Sequence, residues 1–423
     1  MGLILKISEF SLKIILLSVC TICLYNSLKK LVGDDKSFQY YFYLLVYVFY
    51  VFPVALQLCF PSHEYIIFWR ANEAMGQPIP NIIYDIFVIT FSLLIIRTGK
   101  RNKLKNGCEL ECNRMIVRVC TLVIITVFAM TLAMNGISPL ISYASGYVNE
   151  SLNINESLIG CGIICYLVLL GHKKYISKVN LISMTMLVIG FMWVVGKRYI
   201  LAETIIMGIY VLSITGIIQG KKFLKYLILG GTSVIAFCVI YGIVLKGNFN
   251  SFVDYFMVDM SRQYTLIYQF FCQMTGKEIS VGKYDAVLWL IGWWVPRSVW
   301  PDKPYPFVNQ LTYSLVSTSN VPSGENMGWA TTCGVFSDLF DSFSYFGLVL
   351  AMFLFIGLFR MINSNKKPHF KILMMYLTVK LLTVQISSSI IQIVLSFVLF
   401  LLCDKFDEIQ KKRKQILLDR ENI

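Results

Sequence analysis

The sequence predicts an all-α polytopic membrane protein, with about eleven transmembrane helices and one large, partly helical external loop. Three observations predict it. Of the 423 residues, 57% are hydrophobic and 15% charged, where soluble domains average about 45–50% and ~25%. The mean hydropathy is +0.66. The apolar residues gather in long runs divided by short basic joints. A soluble globule, a disordered chain and a nucleic-acid binder are disfavoured. The net charge of +14 does not reverse this, because placement of charge matters more than its sum in a membrane chain.

A span needs roughly 20 mostly apolar residues to cross the ~30 Å hydrocarbon layer. Runs of that kind centre near Val19, Phe49, Ile89, Ile125, Ile164, Val188, Ile209, Ala236, Phe353, Leu377 and Phe397. The first does not read as a cleaved signal peptide, since it lacks a small-x-small site and a second span follows at once. The segment Arg97 to Arg118 carries Arg97, Lys100, Arg101, Lys103, Lys105, Arg114 and Arg118. Basic joints recur at Lys173, Lys174 and Lys178, at Lys221, Lys222 and Lys225, at Arg360, Lys366, Lys367 and Lys371, and in the tail from about 404 to 423. The loops between them are poor in Lys and Arg, and Gly136 to Ser157 has neither. By the positive-inside rule the basic joints are cytoplasmic, which puts the C-terminus inside and, with an odd number of spans, the N-terminus outside. The whole chain, 1–423, reads as a single membrane-embedded domain.

The external loop, about 246–342, lies between the eighth and ninth runs. Loops this long are functional or disordered. Five of the seven tryptophans, Trp289, Trp293, Trp294, Trp300 and Trp329, lie in it, which argues against disorder. Tyr264 to Met274 and Ala286 to Val295 are expected as helices at the membrane surface, the level that Trp and Tyr favour. The halves of the chain share no repeat, unlike transporters built from paired repeats.

The most distinctive segment runs from Trp293 to Pro304. Three prolines stiffen it and restrict their predecessors, so Arg297 and Lys303 are held at fixed positions. A rigid guanidinium suits a phosphate because its planar fork donates two parallel hydrogen bonds. The plainer reading is an interfacial anchor, with Trp in the headgroups and Arg on lipid phosphate. Lys197 and Arg198 occupy a tight turn that the topology places outside, where two cations are disfavoured. Glu203, one turn on, offers a clamp between helices as the structural alternative. Arg262, early in the loop, would complete an external cluster able to grip a pyrophosphate; the alternative is a solvated loop residue.

Other groups say less. Asp85 and Lys380 fall within apolar runs and could pair inside the bundle. His63, His172 and His369 lie in short joints and receive no catalytic role. No HExxH, paired CxxC…CxxC, Walker loop or GxSxG occurs. Cys108 and Cys112 lack matching cysteines for zinc, so neither metal nor cofactor is expected. Most of the twelve cysteines lie in apolar runs as small hydrophobes. Cys272 and Cys333 share the loop, and spacing does not decide whether they pair. Asn149-Glu150-Ser151 and Asn155-Glu156-Ser157 fit the glycosylation pattern.

The layout, with many spans and one large external loop in the C-terminal half, resembles the Wzy-type O-antigen and capsule repeat-unit polymerases of bacteria. Locally, Pro296-Arg297 followed by Trp300-Pro301-Asp302-Lys303-Pro304 looks like the family's "PR…P-K-P" segment. The loop's exit, Asp341-Ser342-Phe343-Ser344-Tyr345-Phe346-Gly347, looks like its acidic–aromatic–"FG" lead-in to the next span, with Asp341 where Glu is more usual. Gly196-Lys197-Arg198 is similar to a Gly-x-Arg that the family places outside. The resemblance implies a lipid-linked glycosyltransferase, similar to the GT-C class, in the bacterial cytoplasmic membrane with its active face external. It would move a growing glycan from undecaprenyl diphosphate onto a new lipid-linked repeat unit, alongside a chain-length regulator and a flippase. Arg297 would then act at the leaving diphosphate, Arg198, Arg262 and Lys303 would bind it, and Asp302 or Asp341 would serve as base or orient an arginine. An O-antigen ligase shares this architecture, and a lipid-linked oligosaccharide flippase is the alternative from another class.

Overall fold

A computed structural model of the chain describes residues 2–33, 35–101, 113–137, 156–172, 175–195, 198–239, 251–319, 331–384 and 390–421. Among these residues every regular element is helical. Each of the eleven predicted centres falls within a helix. Five helices are long and apolar enough to cross a membrane: Leu3–Val32, Phe38–Cys59, Pro78–Gly99, Arg114–Asn135 and Val335–Ser364. Ser157–Gly171, Lys178–Val194 and Leu201–Ile214 are apolar but shorter. Trp329, Cys108, Cys112, Lys197 and both glycosylation-type asparagines lie outside the described residues.

The chain divides into two compact units. The first comprises 1–104, 236–360 and 378–388. Its core is aromatic. Phe42 packs on Phe355 at 5.1 Å and on Phe359 at 5.0 Å, and Phe91 meets Phe336 edge-on at 4.9 Å. Such tilted and edge-on pairs add to plain area burial, because the ring edge is positive and the face negative. The helix Phe38–Cys59 contains a π-helical turn at Tyr47–Val51. Next to that irregularity the carbonyl of Phe49 accepts the backbone N–H of Arg262 at 3.0 Å. The loop is thereby tied to a span.

The described residues of the loop are mostly helical. Phe252–Tyr255 continues as a π turn, Phe256–Met260, followed by Gln263–Thr275, Asp285–Gly292 and Phe307–Val316. Both predicted loop helices form, but the first is not a surface helix: every residue from Gln263 to Cys272 is buried. The second is shorter than expected and ends at Gly292. There the ring of Trp300 lies against the glycine's Cα, in space that a Cβ would fill.

The exit helix Val335–Ser364 is two helices joined at Ser344, whose backbone has φ 53° and ψ −141°. A non-glycine residue there stores strain of about 1–3 kcal/mol. The reversal brings Gly347 against the carbonyl of Leu339, a contact that no side chain would permit. In a continuous helix those residues would stand about 12 Å apart. The Phe346-Gly347 pair thus has a steric reason: it lets the chain fold back before it enters the span.

The second unit comprises 105–235, 361–377 and 389–423. Its helices include Arg114–Asn135, Glu156–Gly171, Lys178–Val195, Arg198–Ile214 and Lys221–Val239. Midway along Ile390–Glu421, Asp404 accepts from Lys367 at 2.6 Å and lies 3.4 Å from His369.

Candidate functional site

The predicted site residues of the loop all lie in the first unit, and they divide by what their charged groups touch. Arg297 sits on the turn that follows Asp285–Gly292. Pro296 starts that turn by accepting from Val299 and Trp300 at 3.0 Å each. Its Nη1 donates to the Lys303 carbonyl at 2.6 Å and its Nη2 to that of Pro304 at 3.3 Å. The guanidinium lies 3.9 Å over the Tyr305 ring. Arg297 is nevertheless exposed. A guanidinium has five N–H groups, so this one is fixed in direction while most of its donors stay open to a ligand.

Lys303 closes the same turn. Its Nζ donates to the carbonyls of Trp293 at 2.8 Å and Val295 at 3.0 Å, and it lies 5.7 Å from the Trp289 ring. It is 9% exposed. Desolvation lowers its pKa, and the like charge of Arg297 adds to that. Asp302, between them, is exposed.

Arg262 is a different case. It is 4% exposed. Nε and Nη2 donate to the carbonyl of Thr383 at 2.9 and 2.6 Å. Nη1 reaches the carbonyls of Asp259, Met260 and Ser261 at 3.1, 3.2 and 3.1 Å. These carbonyls end two helical segments, where unpaired C=O groups and the negative end of the helix dipole favour a cation. Burial lowers the Arg262 pKa, and the surrounding Tyr50, Tyr264, Cys333 and Asp259 act against that shift. Its donors are spent on the protein's own backbone.

Arg198 opens the helix Arg198–Ile214 in the second unit, and its side chain lies outside the described residues.

A cavity of about 110 Å³ is lined mainly by Ala286, Trp289, Leu290, Phe307, Leu339 and Leu354, with Asp338 as its one acid. It is somewhat smaller than the ~150 Å³ apolar cavity that admits benzene. Asp338 and Asp341, three residues apart, share one face of the short helix before Ser344. Asp341 accepts from Ser280 Oγ at 2.5 Å. Asp285 Oδ2 accepts from the Gly282 N–H at 2.9 Å and from Gln310 Nε2 at 3.1 Å. Gln310 also takes the Val281 N–H at 2.8 Å and donates to the Tyr305 carbonyl at 3.3 Å. Asp338, Asp285 and Gln310 were not distinguishable in the sequence from other polar loop residues. The only available signal was the i, i+3 spacing of the two acids ahead of the exit.

An apolar edge runs along the same strip. Leu288, Ile291, Trp294 and Val299 are exposed, the last by 73%. Cys272 and Cys333 are both free and buried. Cys333 Sγ lies 3.8 Å from Asp338 Oδ1. Among the described residues no group of three His, Cys, Asp or Glu side chains is placed to hold a metal.

No family model, no curated protein and no solved structure matches the chain.

Proposed function

We propose that the protein is a polymerase of lipid-linked oligosaccharide repeat units, working at the outer face of a bacterial cytoplasmic membrane through about eleven spans. The observation that carries this reading is Arg297. It is an exposed guanidinium held by two backbone carbonyls and a tyrosine ring, next to an apolar edge, in a loop between apolar helices. A site for a prenyl diphosphate needs those elements together: an oriented fork for the phosphates and apolar surface for the chain.

In the reaction, the bond between the anomeric carbon of the donor glycan and its diphosphate oxygen breaks. A new bond forms from that carbon to a hydroxyl of the acceptor repeat unit. The hydroxyl proton passes to a carboxylate, and undecaprenyl diphosphate leaves with the electron pair. Arg297 stabilises the charge that grows on the diphosphate. Lys303 orients the turn that carries it. Asp302 is exposed, Asp338 lines the cavity, and Asp341 follows Asp338 by three residues on the same helix; these are the carboxylates from which the base is drawn. Arg262 is assigned to holding the loop rather than the diphosphate.

The test is the surface glycan of a strain lacking the gene. A polymerase defect leaves single repeat units attached. A ligase defect leaves long chains on the lipid carrier and none attached. A flippase defect leaves neither outside, and either of these last two patterns overturns the proposal.

A further inference from the structure

The second unit carries a larger cavity, unrelated to the loop residues above. It measures about 540 Å³ and is lined by Arg114, Val117, Arg118, Tyr175, Ile176 and Ser177. Arg114 and Arg118 are four residues apart on Arg114–Asn135 and therefore share one face. Both are exposed. The Arg114 guanidinium lies 5.4 Å from the Tyr175 ring centroid, which restricts its direction.

Among the described residues, the lining holds two cations and no acid. The arginines occupy the first turns of their helix, beside the positive end of its dipole, and that first turn contains no acid. Cations there are unfavourable unless an anion joins them. The opposite wall holds a second helix start. Ser177 Oγ accepts from the Asn180 N–H at 3.1 Å, which caps one of the orphan amides of Lys178–Val195 and leaves its neighbours without intrahelical partners. Two arginines and a helix N-terminus therefore line one ligand-sized space.

We propose that this cavity binds the phosphate of an organophosphate. A volume of about 540 Å³ leaves room for a body attached to the phosphate. Two arginines suit a phosphate better than a carboxylate, because its oxygens can accept from both forks at once. The body attached to it lies along Tyr175, Val117 and Ile176. Such a phosphate can come from a phospholipid headgroup at the mouth of a span or from a soluble nucleotide. The site is separate from the Arg297 turn, and the inference stands or falls without the glycan reading.

Native mass spectrometry of the delipidated full-length protein distinguishes these sources, with palmitoyl-oleoyl-phosphatidylglycerol and adenosine monophosphate as separate probes. The expected result is saturable binding of one probe, weakened at least about tenfold in Arg114→Gln/Arg118→Gln. Phosphatidylglycerol alone identifies a headgroup site, and adenosine monophosphate alone a soluble ligand. Arg114→Lys/Arg118→Lys keeps the charge and loses the forks, so binding should weaken about threefold or more. It also serves as the test if the glutamine pair does not fold. Binding of neither probe by the wild type overturns the proposal. So does equal binding by the wild type and whichever variant folds.

Discussion

Arg262 and Arg297 are the same residue type in the same loop, and the structure gives them opposite vulnerabilities. Arg262→Ala removes the donors to four backbone carbonyls, one of them 121 residues away in sequence at Thr383. Each buried acceptor left unpaired costs about 1–3 kcal/mol. These losses are not additive between neighbours, and together they destabilise by about 3 kcal/mol or more. Arg262→Lys does little better, because one ammonium cannot reach both Thr383 and the 259–261 carbonyls. Arg297→Ala loses two carbonyl contacts at an exposed position, about 0.5–1.5 kcal/mol each at most and less in water. With exposure reducing the Arg297 loss to about 1 kcal/mol, the gap between the variants is roughly 2 kcal/mol, a factor of about 30 in the folded ratio. The assay pairs the unfolding midpoint of the purified full-length protein with polymer length in a complemented deletion strain. Arg262→Ala should lower the midpoint and the protein level. Arg297→Ala and Arg297→Lys should keep both and give single repeats. An unchanged midpoint in Arg262→Ala refutes its role as a staple. Full-length polymer from Arg297→Ala at normal protein level refutes the phosphate role.

Burial lowers the pKa of His63 below its ordinary value, with the Asp254 carboxylate at 3.2 Å pulling the other way. Below pH ~6.5 the unfolded chain then binds a proton that the folded one resists, so stability is full above that pH and falls as pH drops. Unfolding midpoints between pH 8 and 5 should slope less in His63→Gln than in wild type, and equal slopes would discard this assignment. Gly347→Ala should reduce folded protein sharply, since its Cβ meets the Leu339 backbone, whereas Gly357→Ala, with open space at its Cβ, should be tolerated; equal yields would show that the chain reversal at Ser344 is not required. In a cysteine-free background, Ser319→Cys should label from outside the cell and Ser364→Cys should not. The reverse pattern would invert the topology.

Helix placement was legible in the sequence because hydropathy is a local signal. A run of apolar residues such as the one around Ile125 reports its own environment whatever it packs against. The loop helices were legible for the same reason, as Gln263–Thr275 and Asp285–Gly292 confirm within a few residues. What each charge does was not legible. Arg262 looks like Arg297 in sequence, and only the carbonyl of Thr383, brought close by folding, separates a staple from a presented fork. The depth of Gln263–Thr275 was misread because its aromatics fit an interfacial belt as well as a core. Tyr264 is stacked on Phe68 at 5.4 Å, from a segment nearly two hundred residues earlier. The reversal at Ser344 was hidden too, because the positive φ falls on a serine, where glycine is the usual marker of such a backbone.

Gln310 explains how the pieces of the loop hold a common geometry. It is 1% exposed, and its one amide joins Val281, Asp285 and the carbonyl of Tyr305. The Tyr305 ring is the surface on which the Arg297 guanidinium rests. Asp285 begins the helix that lines the cavity containing Asp338. The chain before that helix returns through Ser280 to Asp341. A single buried amide thus connects the exposed fork to the carboxylate end of the strip. An exposed polar network would exchange its partners for water, but a buried one holds its geometry because every lost bond leaves a group unpaired. A group transfer that needs a phosphate held at one place and a hydroxyl deprotonated at another requires this kind of coupling, since small misplacements of either end lose large factors in rate. The prolines around Arg297 restrict the turn locally, and Gln310 fixes where that turn sits.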